Sequence, residues 1–389
     1  MLANLGLAVA RTIPAEALFG LASGAYKIHG GVIRDVGGRI VMHLVTSDVG
    51  TSALSSLVPG ANLLGSLLQS GKLWQLGQSV DHLREVVSTV LDVSMAGVAV
   101  SGLGIVTSIG GFVYLTKRIG QIDAKLVSIE RDVKDIKNWL GSLERSKLRA
   151  AVDNVRHAET SGDEALRRDL LIQSKDIFGM LAHHYREQWA EARTTTSISL
   201  FDDLYSLAFT GHAITCSNLG LFTDAASDLE EYSREWLQQA RQHTKSMLFD
   251  ERLDRLLGAE YVEKLPTRTL TQLLDFAHNS DRGVDWLDEL RLGTAKHASI
   301  FDKLPGLSTV KVGRLTSKGD VSSAVDVARS LYTRADVIAA SVAHYNFLRG
   351  KQVSVGAFQK QVEAERAASG ADAICILPAA LAVPEPVQV

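Results

Sequence analysis

The stretch VSMAGVAVSGLGIVTSIGGFVYLT, residues 93–116, holds 24 residues without one charged side chain and runs through Lys117 and Arg118 into a heptad. In that heptad Ile119, Ile122, Leu126, Ile129, Val133, Ile136, Leu140 and Leu143 follow one another at alternating steps of three and four. Such spacing lays apolar side chains along one helical stripe that a partner helix must cover. Between them stand Asp123, Lys125, Glu130, Arg131, Asp132, Lys134, Asp135 and Lys137, the mixed charges of a solvated face. Residues 119–143 are therefore expected to form a coiled-coil-like stem through which the chain makes a homo-oligomer.

The uncharged run carries a stripe of its own. Ser94, Gly97, Ser101, Gly104, Ser108 and Gly111 repeat the same three-four step, and small residues at that spacing let a second helix approach closely. A helix of this length spans about 36 Å at 1.5 Å per residue, enough for a bilayer core of roughly 30 Å. Ile105, Ile109, Phe112 and Tyr114 would then face lipid or a partner helix, with Lys117 and Arg118 at headgroup level. Ten of the 24 residues are Gly, Ser or Thr, which makes insertion marginal beside a Leu-rich span. Upstream, Val80, Leu83, Val87 and Val90 hold the phase that Ser94 inherits. One long helix, or two folded as a hairpin at a glycine pair, is the expected form.

Charge is distributed unevenly around this stretch. The whole chain of 389 residues is near neutral, with 41 basic and 44 acidic residues, which argues against a nucleic-acid partner. Residues 1–116 contain only 12 of those charges and 17 of the 32 glycines. Length and composition predict a Gly-rich apolar N-terminal region over 1–71, the helix and stem over 72–146, a helical-hairpin domain over 147–377, and a flexible tail over 378–389. Arg11 is the first charge, behind an apolar Met1–Ala10, an order opposite to that of a secretory signal. Cys216 and Cys375 make neither a disulfide framework nor a zinc site, so a reducing, cytoplasmic origin without a cleaved signal is expected.

Within the N-terminal region, Pro14 is placed to open a short helix over Ala15–Ala22. Two β-branched runs joined by Gly37-Gly38, within residues 32–45, predict a hairpin whose two turn residues both take positive φ. The run 49–71 is interrupted by Pro59 and three glycines and is expected to be buried or re-entrant rather than spanning. Further on, Ser161 is placed to cap a helix over Glu164–Glu191, packing through Leu166, Leu170, Ile177, Met180, Leu181, Tyr185 and Trp189. Arg193–Ser197 reads as a loop. Helices over Leu200–Leu219 and Thr223–Lys245, with Ala213 and Ala226 where they touch, resemble a tetratricopeptide-type hairpin. Additional helices are expected over 251–258, 268–278, 284–292, 320–348 and 353–368, and Ile374–Leu377 is a candidate strand.

Chemistry is sparse by comparison. Gly65 to Lys72 has five residues between its glycines where a phosphate loop needs four. His183, His184 and Glu187 lack the two-histidine spacing of a zinc hydrolase. The acidic sets Asp228, Glu230, Glu231 and Asp285, Asp288, Glu289 read as solvated helix faces. No catalytic residue, cofactor or metal is expected, and the chain reads as non-enzymatic.

A conditionally insertable helix followed by a long stem resembles, in architecture, the α-helical pore-forming toxins of the ClyA and haemolysin BL type. That resemblance implies a mainly α protein that associates with a lipid bilayer and disrupts or spans it as an oligomer. The alternative expectation is a soluble helical scaffold that binds a protein partner on residues 147–377.

Overall fold

The computed structural model describes residues 2–11, 13–29, 32–46, 142–249, 264–292, 318–370 and 373–379. The uncharged segment 93–116, with Ser94 through Arg118, and the stem positions Ile119 to Leu140 lie outside the described residues, as does the Gly65–Lys72 run. Leu143 falls in the first turn of a described helix.

The described chain is mainly helical and carries a small antiparallel sheet. Its elements are β1 (Leu7–Ala10), α1 (Ala15–Ala22), β2 (Tyr26–His29), β3 (Val32–Asp35), β4 (Ile40–Thr46), α2 (Ser142–Thr160), α3 (Glu164–Glu191), α4 (Thr195–Asn218), α5 (Phe222–Leu248), α6 (Thr267–His278), α7 (Lys318–Lys351), α8 (Val355–Ser369) and β5 (Ala373–Pro378). The strands order β1-β5-β4-β3-β2. The predicted hairpin is present, with Val32 opposite His43 and Ile33 opposite Met42, but it belongs to a five-stranded sheet in which the candidate strand at 374–377 lies between β1 and the hairpin strand β4. Strand β5 pairs with both β1 and β4, so the two ends of the chain meet in one sheet. Ile374, Cys375, Ile376 and Leu377 are all fully buried, the continuous apolar run of a strand covered on both faces.

The hairpin turn departs from the two-glycine form. Only Gly38 takes positive φ, at 78°, and the connection runs over four residues, 36–39. Asp35 closes it: its carboxylate accepts from the Arg39 backbone N–H and from Arg39 Nε, each at 2.9 Å. A side-chain acceptor thus does what the second left-handed residue would have done.

Two compact units divide the contacts: residues 1–182, 206–233 and 336–389 form the first, and 183–205 with 234–335 the second. In the first, α3 starts at Asp163, whose Oδ1 accepts from the N–H groups of Ala165 and Leu166; Ser161 supports Asp163 rather than capping the helix itself. Leu171, Ser174, Phe178 and Ala182 face inward, while Leu166 and Met180 of the expected stripe are exposed. The buried stripe includes small residues that a hydrophobicity pattern cannot see. Ser174 Oγ donates to the Ala151 carbonyl of α2 at 3.0 Å, which explains its place inside.

Helix α3 meets α4 where Gly211 stands against Phe178. A Cβ at Gly211 would lie 2.7–2.8 Å from three ring carbons of Phe178, which is itself fully buried. Gly211→Ala is therefore expected to lower the melting temperature, overpacking by about 1–3 kcal/mol against a helix-propensity gain of about 1 kcal/mol. A thermal unfolding scan showing a higher midpoint would contradict this contact.

The expected loop at Arg193–Ser197 is shorter, because Thr194 and Ser197 exchange backbone N–H and hydroxyl bonds at 3.1 Å and start α4 at Thr195. Helix α4 ends in a Schellman turn. Gly220, at φ 81°, lets the Leu221 N–H reach the Cys216 carbonyl at 2.9 Å and the Gly220 N–H reach that of Ser217 at 3.1 Å. Ala213 and Ala226 are buried as expected.

In the second unit, Leu248, Leu265, Leu270, Leu273, Leu274, Trp286, Leu290, Ala324, Val325 and Ala328 form one apolar cluster. The connection after α6 is organised by Asp275, whose carboxylate accepts from Ser280 Oγ, the Arg282 and Gly283 N–H groups and Trp286 Nε1. Desolvation raises its pKa, but these donors outweigh it and the net shift is downward. Arg282 then lies 4.0 Å above the Trp286 ring and pairs with Glu289 at 2.7 Å.

Candidate functional site

Polar side chains taken out of water mark three places, each inside one unit. The first, in the first unit, is the junction of α3, α4 and α5. His212 and Cys216 are four residues apart on α4, so both project from one face. Asp228 comes to the same point from α5. His212 Nε2 is 3.1 Å from Asp228 Oδ2 and 3.6 Å from Cys216 Sγ, and the three ligand atoms all lie within 4.8 Å of one another. On its other side His212 Nδ1 sits 3.1 Å from the Lys175 carbonyl of α3. A carbonyl only accepts, so Nδ1 carries the hydrogen.

Glycine makes that approach possible. A Cβ at Gly179 would stand 3.3 Å from His212 Nδ1, so the ring lies on bare helix backbone. Tyr232 packs edge-on to the ring, with centroids 6.2 Å apart. Burial, reinforced by the Asp228 charge, pushes the Cys216 thiol up to about 12, while Lys175 pulls in the opposite direction. Cys216 is buried, whereas Asp228 retains 39% of its side-chain exposure and His212 15%.

The second place lies where the sheet of the first unit meets α7 and α8. His43 of β4 and His344 of α7 meet edge to face at 5.3 Å, with Phe347 and Phe358 around them. Neither ring nitrogen of either histidine has a hydrogen-bond partner among the described residues. Burial pushes His344 down to about 4; burial, with His344 adding to it, holds His43 well below its ordinary range. Both rings are thus neutral at pH 7 and serve as aromatic packing.

The third place is in the second unit. Arg334 of α7 donates to Asp202 Oδ2 and, at 2.7 Å, to Asp203 Oδ1, both on α4. Trp236 Nε1 of α5 donates to Asp202 Oδ1 at 2.8 Å. All four residues are buried. Burial raises the pKa of Asp202, and neighbouring Asp203 adds to that, with Arg334 acting against both. Trp236 stacks on Trp189 at 5.7 Å between centroids, and Trp189 also meets Tyr205 and His243.

These groups compare unevenly with the sequence reading. His183 and Glu187 are exposed and His184 is half-buried. In the acidic set after Gly283, Asp288 and Glu289 pair with Arg291 and Arg282, the solvated face expected there. Asp228, read as part of a solvated face, turns its carboxylate to His212 instead. Pattern reasoning missed the His212, Cys216, Asp228 set, although a histidine and a cysteine four apart on a helix was a visible signal. Among the described residues no helix is long and apolar enough to cross a membrane. Comparison with family models, with curated proteins and with solved structures finds no match for the chain.

Proposed function

We propose that the chain is a non-enzymatic, helical, membrane-associated protein that oligomerises through residues 119–143 and perturbs or spans a bilayer with residues 93–116. The observation that carries this reading is the charge-free run of 24 residues, striped with small side chains and followed directly by Lys117-Arg118 and a heptad. A pore-forming or membrane-disrupting effector fits it best. The coiled-coil-like stem and the tetratricopeptide-like pairing of α4 with α5 are parts of the same proposal, the second as the place where a protein partner docks on 147–377.

Dye-loaded anionic liposomes test it. Wild-type protein is expected to float with the vesicles and release dye, and an Ile105→Asp, Ile109→Asp variant to lose both, since each carboxylate at mid-membrane costs about 2.5–3.5 kcal/mol. Wild type that neither floats nor releases dye, across lipids and pH, would sink the membrane reading. The helical scaffold for a protein partner would then take its place.

A further inference from the structure

We infer that His212, Cys216 and Asp228 form a binding site for one divalent cation of the zinc class, with a fourth coordination position open to water. The inference is independent of the membrane reading. It begins with the hydrogen on Nδ1, which the Lys175 carbonyl requires. With Nδ1 protonated, a neutral ring presents the Nε2 lone pair to the Asp228 carboxylate at 3.1 Å and to the Cys216 sulfur at 3.6 Å. A lone pair facing an anion is repulsive, so positive charge belongs at that point. A proton on Nε2 satisfies one acceptor. A metal ion satisfies all three groups at once.

The two distances from His212 Nε2 fit the ion, and the Asp228 oxygen and Cys216 sulfur lie within 4.8 Å of each other. Tetrahedral zinc, with bonds of about 2.0–2.1 Å to nitrogen and oxygen and about 2.3 Å to sulfur, sets nitrogen and oxygen ligands about 3.3 Å apart and nitrogen and sulfur about 3.6 Å apart. The donor set of imidazole, thiolate and carboxylate suits a borderline-soft ion and not calcium or magnesium. A ligand histidine whose far nitrogen donates to a backbone carbonyl is the ordinary outer arrangement of a zinc site, fixing tautomer and ring plane. Here Gly179 makes room for it, since any Cβ would press on the ring. The surrounding charge is acidic as well: Asp228, Asp224 and Asp176 act on the Cys216 sulfur against Lys175. On binding, the Sγ–H bond breaks, its proton leaves to solvent, and the sulfur lone pair goes to the metal. Three ligands on two helices leave a position on the exposed side of Asp228 for water.

Cobalt(II) is the probe. Full-length protein stripped with chelator and titrated with Co²⁺ is expected to bind one ion with a thiolate-to-cobalt charge-transfer band and tetrahedral ligand-field bands, both removed by added Zn²⁺. Cys375→Ser is expected to keep the spectrum and Cys216→Ser to lose the charge-transfer band. Asp228→Asn, a change of nearly equal size at a side chain with 39% exposure, is expected to weaken binding by at least the roughly 10–100-fold that loss of an outer-shell partner causes. Far-ultraviolet circular dichroism of each variant checks that the helices are intact. A wild type without the charge-transfer band, a band that follows Cys375 instead of Cys216, or an Asp228→Asn variant with unchanged affinity would each overturn the site.

Discussion

Acidification from pH 6.5 toward pH 4 is expected to remove a large part of this protein's stability. His344 and His243 are each pushed by burial from the ordinary 6.5 down to about 4, and His43 moves the same way. The unfolded chain takes up protons near pH 6.5, while the folded chain refuses them until about pH 4. Stability is therefore full above the unfolded value, declines as pH falls through the window, and stops declining below the folded value. A shift from 6.5 to about 4 corresponds to roughly 3 kcal/mol for His344. His243, in the second unit, contributes about as much there. Asp202 works in the opposite sense, because a carboxyl with a raised folded pKa favours the folded state when protonated.

Urea unfolding at pH 7, 6, 5 and 4, for wild type and for His344→Leu, measures the effect. The variant replaces two ring nitrogens that lack partners among the described residues with an apolar side chain of similar reach, and its stability is expected to vary less steeply with pH, by about 1.4 kcal/mol per pH unit within the window. Parallel curves for the two proteins would show that His344 is not titrating in the unfolded state alone.

Arg334→Met is expected to be among the most damaging single substitutions in the second unit. It removes the buried guanidinium that pairs with both Asp202 and Asp203, leaving two carboxylates in the core beside Trp236. Breaking a buried pair from one side costs about 3–5 kcal/mol, because the remaining charge has no solvent to return to. Replacing the carboxylates as well, with Asp202→Asn and Asp203→Asn in the Arg334→Met background, is expected to restore part of that stability. A loss below about 1 kcal/mol in Arg334→Met, read by urea unfolding, would mean that water or another group already solvates the pair.

Periodicity alone carried much of the helical framework. The limits of α1, α3 and α6, the two helices around Gly220, and the strand at 374–377 were legible because apolar spacing, Pro14, Pro266 and the glycine turn are local signals. The functional expectation for residues 93–143 is likewise a property of the sequence, resting on charge depletion and heptad spacing that need no fold to be read.

Contacts between distant segments were not legible. Nothing local says that β5 inserts between β1 and β4, since a four-residue apolar run pairs with any free edge. Nor does local pattern show that Ser174 lies inside while Met180 lies outside, because that depends on the Ala151 carbonyl waiting on α2. The same holds at the candidate metal site. The four-residue step from His212 to Cys216 is written in the sequence, but Asp228 becomes a ligand only when the Gly220 turn folds α5 back on α4. The Lys175 carbonyl, reached across Gly179, then settles which nitrogen of His212 faces them. Sequence determined which side chains share a helix face; tertiary structure decided which faces meet, because burial and hydrogen-bond satisfaction are properties of assembled segments.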